Sequence, residues 1–324
     1  MNFNDRIYVA GHSGLVGSAI VRHLQKEGYR YIITADSSDL DLRDQHDVKK
    51  FFQKERPQFV FLAAAKVGGI MANKTYGGEF IYDNLCVQNN VIHESYKNGV
   101  EKLLFLGSSC IYPKMAHQPM KESYLMTGEL EPTNSPYAMA KIAGIEMCKA
   151  YNTQYGTNFV SVMPTNLYGP GDNYDLQNAH VLPALIRKFH EAKINNEDTV
   201  TVWGTGTPRR EFLHVDDAAA ACFFVMKNYN DSSIVNIGCG TDYSIKEMAE
   251  AIKGITKFNG SIIFDTTKPD GTMQKLLDVN KLTTLGWKYS IDLSNGLQST
   301  YEDFSKNYQY YINTKHRSSL VENV

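Results

Sequence analysis

"RIYVAGHSGLVGSAI" spans Arg6–Ile20 and decides how the rest of the chain is read. A short apolar run, Arg6–Ala10, has the character of a strand. It leads straight into Gly11, Gly14 and Gly17, after which the pattern turns helical from about Leu15 to Glu27. One glycine of such a cluster permits a tight turn, one lets backbone approach a pyrophosphate, and one lets the helix pack against the strand. The helix N-terminus then offers free N–H groups and the positive end of its dipole to phosphates. Three glycines alone are a weak signal. Their place after the first strand and at the opening of the first helix supports nucleotide binding.

Strand-like and helix-like stretches go on alternating. "YIITA" (31–35) precedes the helical "DQHDVKKFFQKE", and "QFVFLAAA" (58–65) precedes a loop and a helix expected over 79–98. "KLLFLG" (102–107) precedes a long segment and the helical "SPYAMAKIAGIEMCKAYNTQYG"; "NFVSVMP" (158–164) follows. The strand-like runs are apolar throughout rather than alternating, as in strands covered on both faces. Strand–helix alternation with such runs predicts an α/β fold built on a doubly wound parallel sheet of Rossmann type. Beyond Pro164 shorter strands ("TVTVW", "SIVNIG", "SIIFD") mix with Gly- and Pro-rich loops, so a second, smaller α/β domain is expected there. The polar stretch from Gln309 onward is expected to fray.

The chain has 324 residues, 43% of them hydrophobic and 21% charged, with a formal net charge of −2. That length corresponds to about two domains at roughly 150 residues each. No global field favours nucleic acid or an acidic membrane. The opening "MNFNDRIYVAG" lacks a basic-then-apolar pattern, so no signal peptide is expected. The longest apolar run, Ala218–Met226, is far shorter than the ~20 residues of a membrane span. Five cysteines (Cys86, Cys110, Cys148, Cys222, Cys239), widely spaced and never in CxxC, suggest neither a disulfide framework nor a metal site. A reducing, cytoplasmic setting fits them. Cys148 and Cys222 fall within helical apolar patterns and read as core.

The second strand ends in "TADSSDLDL". Acids here commonly take a ribose 2′-OH, so Asp36 and Asp39 lean towards NAD; no Arg or Lys stands between Arg30 and Arg43 to hold a 2′-phosphate. "SPYAMAKIAG" puts Tyr137 and Lys141 on one helix face. A free phenol has a pKa near ~10, and a neighbouring cation is expected to lower it. Ser108, or its neighbour Ser109, stands at the end of the fourth strand-like run and is suited to bond a reacting carbonyl oxygen. Together these groups suit hydride chemistry, with tyrosine handling the proton and a bound cofactor the hydride.

"GHSGLVG", "GSSCIYP" and "YAMAK" resemble the extended short-chain dehydrogenase/reductase superfamily, in the branch acting on nucleotide sugars. The longer runs "LAAAKVGGIMAN", "LLFLGSSCIYPK", "EPTNSPYAMAKIAGIEMC", "VMPTNLYGPGDNY", "HVLPALIRKFHEAK" and "REFLHVDDAA" are similar to the GDP-L-fucose synthases, 3,5-epimerase/4-reductases of a 4-keto-6-deoxy GDP-sugar. The likeness runs to about Asp278.

The resemblance implies that Cys110 and His180 carry the epimerisation. A ketone at C4 acidifies the protons at C3 and C5, and two titratable groups are needed on either side of the ring. A thiol and an imidazole bracket neutral pH. Cys110 also lies at the C-terminal edge of a strand, where open α/β sheets bind ligands. Ser108, Tyr137 and Lys141 complete the expected catalytic set.

The cofactor implied is NADP(H), held by Gly11, His12, Ser13, Gly14, Leu15, Val16 and Gly17. Further contacts are expected from Asp36, Ser37, Asp41, Leu42 and Ala64, from Leu106, Gly107 and Lys141, and from Pro164, Asn166, Leu167 and His180. Ser13 and Ser37 stand where the family carries basic residues, which leaves NADH open. For the GDP-sugar, Lys188 and Arg210 are the candidates for the pyrophosphate, Trp203 for the nucleotide or sugar, and Asp278 for a base or sugar group. His214 and Asp216 are expected to position their loop.

The resemblance also implies a cofactor domain of residues 1–168 with 214–240, and a substrate domain of 169–213 with 241–324. It implies a homodimer joined through helices near 80–98 and 137–155. Two rivals stay open. A 4,6-dehydratase or 4-epimerase on the same scaffold is one; a dehydratase typically carries Thr–Asp–Glu where this chain has Ser108–Ser109–Cys110–Ile111–Tyr112. A cofactor-sensing protein without turnover is the other, although such proteins usually lose the Tyr or Lys present here.

Overall fold

The computed structural model describes residues 1–313 apart from Gln177 and Pro269. In chain order its elements begin β1 (Arg6–Ala10), α1 (Leu15–Lys26), β2 (Tyr31–Ile33), α2 (Gln45–Glu55), β3 (Phe59–Leu62), α3 (Ile70–Thr75), α4 (Gly77–Lys97), β4 (Lys102–Leu106), α5 (Ser135–Tyr155) and β5 (Phe159–Pro164). They continue with β6 (Asn166–Tyr168), α6 (Val181–Ile194), β7 (Thr199–Trp203), β8 (Arg209–His214), α7 (Val215–Asn228), β9 (Val235–Ile237) and β10 (Asp242–Ser244). The last are α8 (Ile245–Thr256), β11 (Ser261–Asp265), β12 (Gln274–Lys275), α9 (Asn280–Thr284), α10 (Leu293–Lys306) and α11 (Tyr308–Asn313).

Six strands form one sheet in the order β2-β1-β3-β4-β5-β9, with every neighbouring pair parallel. Side chains alternate across it. Ile7, Val9, Phe61, Leu104 and Val162 join Ile20 of α1 and Val225 of α7 in one core. Tyr8, Val60, Leu103, Phe105 and Met163 join Phe52 of α2, Val91 of α4 and Ile145 of α5 in another. Burial on both faces is what the uniformly apolar strand runs predicted. A third core holds Phe189 of α6, Val202 of β7, Phe212 of β8, Met248 of α8 and Phe304 of α10.

The first turn is as tight as its glycines suggested. Gly11 has φ +82°, and a Cβ there would lie 2.7 Å from the Ala64 backbone. A Cβ on Gly17 would lie 2.0 Å from the Gly11 carbonyl oxygen, so only glycine lets α1 start this close to β1.

Two expectations needed correction. The segment before Glu79, expected as a loop, is helical: α3 ends and α4 begins at Tyr76. Gly77 and Gly78 read as loop residues, but a Cβ on Gly77 would meet Pro136 Cγ at 3.1 Å, so this glycine admits the start of α5. The stretch from Gln309, expected to fray, is helical through Asn313, and Tyr311 is buried. Its ring packs on Tyr174 and Phe304, and its hydroxyl accepts from Gly171 N and donates to Asp303. Residues 314–324 lie outside the described residues.

The parallel sheet meets the second set of strands at Glu211. Within β8, which pairs with β6, β10 and β12, this side chain has no solvent exposure. Its carboxylate accepts from Cys239 N and Gly240 N, both at 2.7 Å, and from Leu277 N at 3.0 Å. Burial pushes its pKa up, and these backbone donors oppose the rise.

Gly17→Ala is expected to destabilise the fold by about 1–3 kcal/mol through overpacking, read by chemical denaturation. A variant as stable as the parent would refute the close approach. Glu211→Leu strands three backbone donors at a cost of about 1–3 kcal/mol each, whereas Glu211→Gln, which keeps one acceptor oxygen, should lose less. Equal unfolding midpoints for the two would count against the carboxylate's bridging role.

Candidate active site

The glycine loop, the end of β4 and the N-terminus of α5 meet at the C-terminal edge of the parallel sheet. α1 begins without a capping side chain and with no acid in its first turn. Its N-terminal dipole thus faces the loop uncompensated. Asp36 and Ser37 are exposed just beyond β2, and the Asp36 carboxylate lies 3.7 Å from His12 Nε2. His12 Nδ1 is buried with no protein partner. Arg43, the first basic residue after β2, is committed to Asp41 at 2.9 Å and approaches Asp83 at 3.5 Å. Leu42 packs among the partly buried apolar residues of the core beside α2 and α4. Pro164 ends β5, and Asn166, ahead of Leu167 in β6, donates to the Glu211 carbonyl at 2.8 Å.

Directly after β4, Gly107 leads into a turn of 3-10 helix over Ser109–Ile111. A Cβ on Gly107 would lie 2.5 Å from the end of the Met163 side chain, which would have to move to admit it. Ser108 Oγ accepts from Cys110 N at 3.2 Å and also bonds the Tyr137 phenol. Ser109 is buried; Ser108 stays half-open. Cys110 packs against the buried group of Ala72, Phe80 and Tyr137. The structure therefore brings the thiol, the phenol and one serine to the same place.

Lys141 lies one helical turn beyond Tyr137, as the sequence spacing implied. Its Nζ donates to the Leu106 carbonyl at 2.9 Å and sits 5.9 Å from the Tyr137 ring centroid. Burial pushes the Lys141 ammonium down to about 7. The expectation that this cation lowers the phenol's pKa is not met in this arrangement. Burial, and then the adjacent Cys110, push Tyr137 well above the usual phenol range, against a small opposing effect of the Ser108 bond. Tyr137 is thus a neutral O–H donor at physiological pH.

His180 caps the start of α6. By surface area it is exposed. Crowding, and then the charge of Lys275, hold its imidazole below the ordinary value. Lys275 was not anticipated. Its Nζ stands 3.6 Å from Cys110 Sγ, and its charge links the thiol to His180. Burial raises the Cys110 thiol, but Lys275, Ser108 and Asn134 together outweigh it and hold the thiol below its usual range. Cys148 and Cys222, buried as expected, have no such cation and are both pushed up to about 12 by burial.

Further out, Lys188 donates to the Thr201 carbonyl at 3.1 Å and lies 5.5 Å over the exposed ring of Trp203, which Lys268 also approaches at 5.6 Å. Arg210 is half-buried, feels the charge of Cys110, and neighbours Lys275 in the β8–β12 register. Asp278 accepts from Asn280 N, and its own backbone is held by Met120 and Asn236. His214 Nδ1 accepts from Asp216 N, a loop-positioning contact. Among the described residues no cluster of His, Cys, Asp and Glu fit to hold a metal occurs, and no helix is long and apolar enough to cross a membrane.

The profile of the NAD dependent epimerase/dehydratase family matches residues 7–238. A putative GDP-L-fucose synthase 2 of Arabidopsis thaliana is 58% identical over 93% of this chain and 92% of its own. The GDP-L-fucose synthase of Escherichia coli is 53% identical over 94% of this chain and 97% of its own. Among solved structures, a GDP-L-fucose synthetase of Naegleria fowleri bound to NADP superposes with a TM-score of 0.89 at 31% identity, covering 95% of this chain and 96% of that one. With the nucleotide-type glycine turn and the Ser108–Cys110–Tyr137 grouping already in place, these likenesses put the chain in the NAD dependent epimerase/dehydratase family, in the branch of the GDP-L-fucose synthases.

Proposed function

We propose that the chain converts GDP-4-keto-6-deoxy-D-mannose into GDP-L-fucose, epimerising C3 and C5 and then reducing C4 with NADPH. The observation that carries this reading is the meeting of Cys110, Tyr137 and Ser108, with Lys275 in reach of both Cys110 and His180. Those groups supply what inversion next to a ketone needs: a base, an acid and donors for the C4 oxyanion. One of the pair Cys110 and His180 removes the proton from C3 or C5, and the carbon is reprotonated on its opposite face. Tyr137 and Ser108 bond the C4 oxygen throughout. Bound NADPH supplies the hydride for C4. Tyr137, whose high pKa keeps it protonated, then delivers its proton to O4.

The residues present fit this cofactor. The Gly11 turn and the Gly17 approach leave backbone free for a pyrophosphate, the N-terminus of α1 has no competing acid, and buried His12 Nδ1 lacks a protein partner. Lys141 is placed to bond the nicotinamide ribose. Arg210 and Lys188 suit the substrate pyrophosphate, Arg210 through its planar fork, with Trp203 against the nucleotide and Asp278 near it. Residues 1–168 with 214–240 serve the cofactor and 169–213 with 241–324 the nucleotide sugar. The six-stranded sheet lies wholly in the first set, although β6 of that set pairs with β8 of the second. The five free cysteines support a reducing, cytoplasmic setting.

Cys110→Ser is expected to slow deuterium exchange at C3 and C5 by about 10²–10⁴-fold while NADPH affinity holds. Tyr137→Phe is expected to abolish NADPH oxidation yet still permit exchange. NMR and mass spectrometry of the product decide the reading: unchanged exchange in the first variant removes Cys110 from the chemistry, and a product retaining the manno configuration at C3 and C5 removes the epimerase.

A homodimer through α4 and α5 belongs to the same reading. Tyr82, Met139 and Tyr155 on these helices are 66%, 49% and 43% exposed, apolar surface that a second copy would cover. Sedimentation should give twice the chain mass, and Tyr82→Glu with Met139→Glu should halve it. A monomeric parent chain would end the proposal.

A further inference from the structure

Cys110 is the described cysteine that combines a crowded setting with a lowered thiol. Five groups facing it come from four elements. Ser108 stands at the end of β4, Asn134 just ahead of α5, Tyr137 on α5, Arg210 on β8 and Lys275 on β12. Ala72 and Phe80 supply an apolar wall. Burial disfavours a negative sulfur; the two cations favour it. Lys275 Nζ stands 3.6 Å from the sulfur, and Ser108 and Asn134 also bond it.

Lys275 is held as a fixed charge would have to be. Its strand has two residues and pairs with β8 through Gln274↔Arg209 and Lys275↔Arg210. On one side, the Met273 carbonyl accepts from Arg209 N. On the other, Leu276 N donates to Gln118 Oε1 at 2.8 Å and Leu277 N to buried Glu211 at 3.0 Å. Cys148 and Cys222 act as internal controls, since burial without a cation raises both thiols.

We propose that Lys275 is a positioning residue for the epimerisation: its ammonium is the counter-charge that keeps the Cys110 sulfur in the thiolate form and aims it towards the sugar ring. This rests on the reading of Cys110 as a proton-exchanging group. A thiolate is the form that accepts a proton, and a cation in contact with it raises its population at neutral pH. At His180 the same charge adds to crowding in disfavouring imidazolium, so one lysine biases the proton equilibrium of both groups.

The test is the pH dependence of Cys110 alkylation by iodoacetamide in the full chain, followed by mass spectrometry of the Cys110 peptide. The parent chain is expected to reach half-maximal rate below pH ~8, under the ordinary thiol value of about 8.5. Lys275→Met should move that midpoint up by about one pH unit, equivalent to roughly a tenfold lower rate at pH 7, and slow C3/C5 exchange in step. Lys275→Arg should restore the midpoint. NADPH affinity and the thermal midpoint should stay unchanged. A parent midpoint at or above 8.5 overturns the proposal without any mutation, so misfolding of a variant does not shelter it. So does a Lys275→Met midpoint equal to the parent's, or a Lys275→Arg midpoint that follows Lys275→Met. An effect of Lys275→Met on substrate KM alone, with alkylation untouched, makes it a pyrophosphate ligand instead and also overturns it. Unimpaired exchange in Cys110→Ser defeats the functional reading but leaves the alkylation result to judge the Lys275–Cys110 contact.

Discussion

A single buried carboxylate ties the two halves of the molecule together. Glu211 sits on β8 with no exposure and no cation against it, and satisfies itself on backbone N–H groups from the turn after β9 and from the residue two beyond Lys275. A buried carboxylate with no donors would carry a large desolvation penalty. Here that penalty is offset only if both distant segments are in place. The carboxylate therefore acts as a gauge of correct assembly. Gly238 belongs to the same device, since a Cβ there would lie 2.3 Å from Glu211 Oε1.

From this seam the charge layout of the site follows. Arg210 is next to Glu211 in sequence, and Lys275 is next to Arg210 across the strand pair. Two cations are thereby carried from the second set of strands to a thiol carried by the first. The Cys110 segment is fastened by its own buried amide. Asn236 of β9 accepts from the Tyr112 hydroxyl at 2.6 Å and donates to the carbonyls of Met120 and Asp278. The thiol is drawn towards ionisation and the phenol is held neutral, so the two neighbouring groups rest in different protonation states.

Sequence reading succeeded where local pattern and burial agree. The first five strands of the parallel sheet announced themselves through their apolar runs, whereas β9, within "SIVNIG", read with the smaller domain and joins the sheet beside β5. The glycine loop was legible because no other residue fits at Gly11 or Gly17. Cys110, Ser108, Tyr137 and Lys141 were legible because motif and strand end coincide. Other features had no local signature. Glu211, in "RREFLH", reads as a charged surface run, and the partners that justify its burial lie 28, 29 and 66 residues away. Lys275 stands in a two-residue strand within a stretch of turn-like composition, so its contact with a thiol 165 residues distant is purely tertiary. The lowered phenol inferred for Tyr137 failed because a four-residue spacing fixes a helix face, not the partner an ammonium will choose. The last helix was missed for a different reason. Phe304, Tyr308 and Tyr311 recur at helical spacing, but the polar residues between them dominated the reading.

That last helix bears on how the loop ahead of α6 is kept in place. The Tyr311 hydroxyl bridges Asp303 and Gly171 N, at the head of the loop that leads to His180, while its ring covers Tyr174 in the same loop. The end of the described chain is therefore a clasp on a segment far away in sequence. Shortening the protein ahead of Tyr308, as its polar composition invites, would remove the hydroxyl bridge and the ring cover together, loosening that loop while leaving the turn between β1 and α1 untouched.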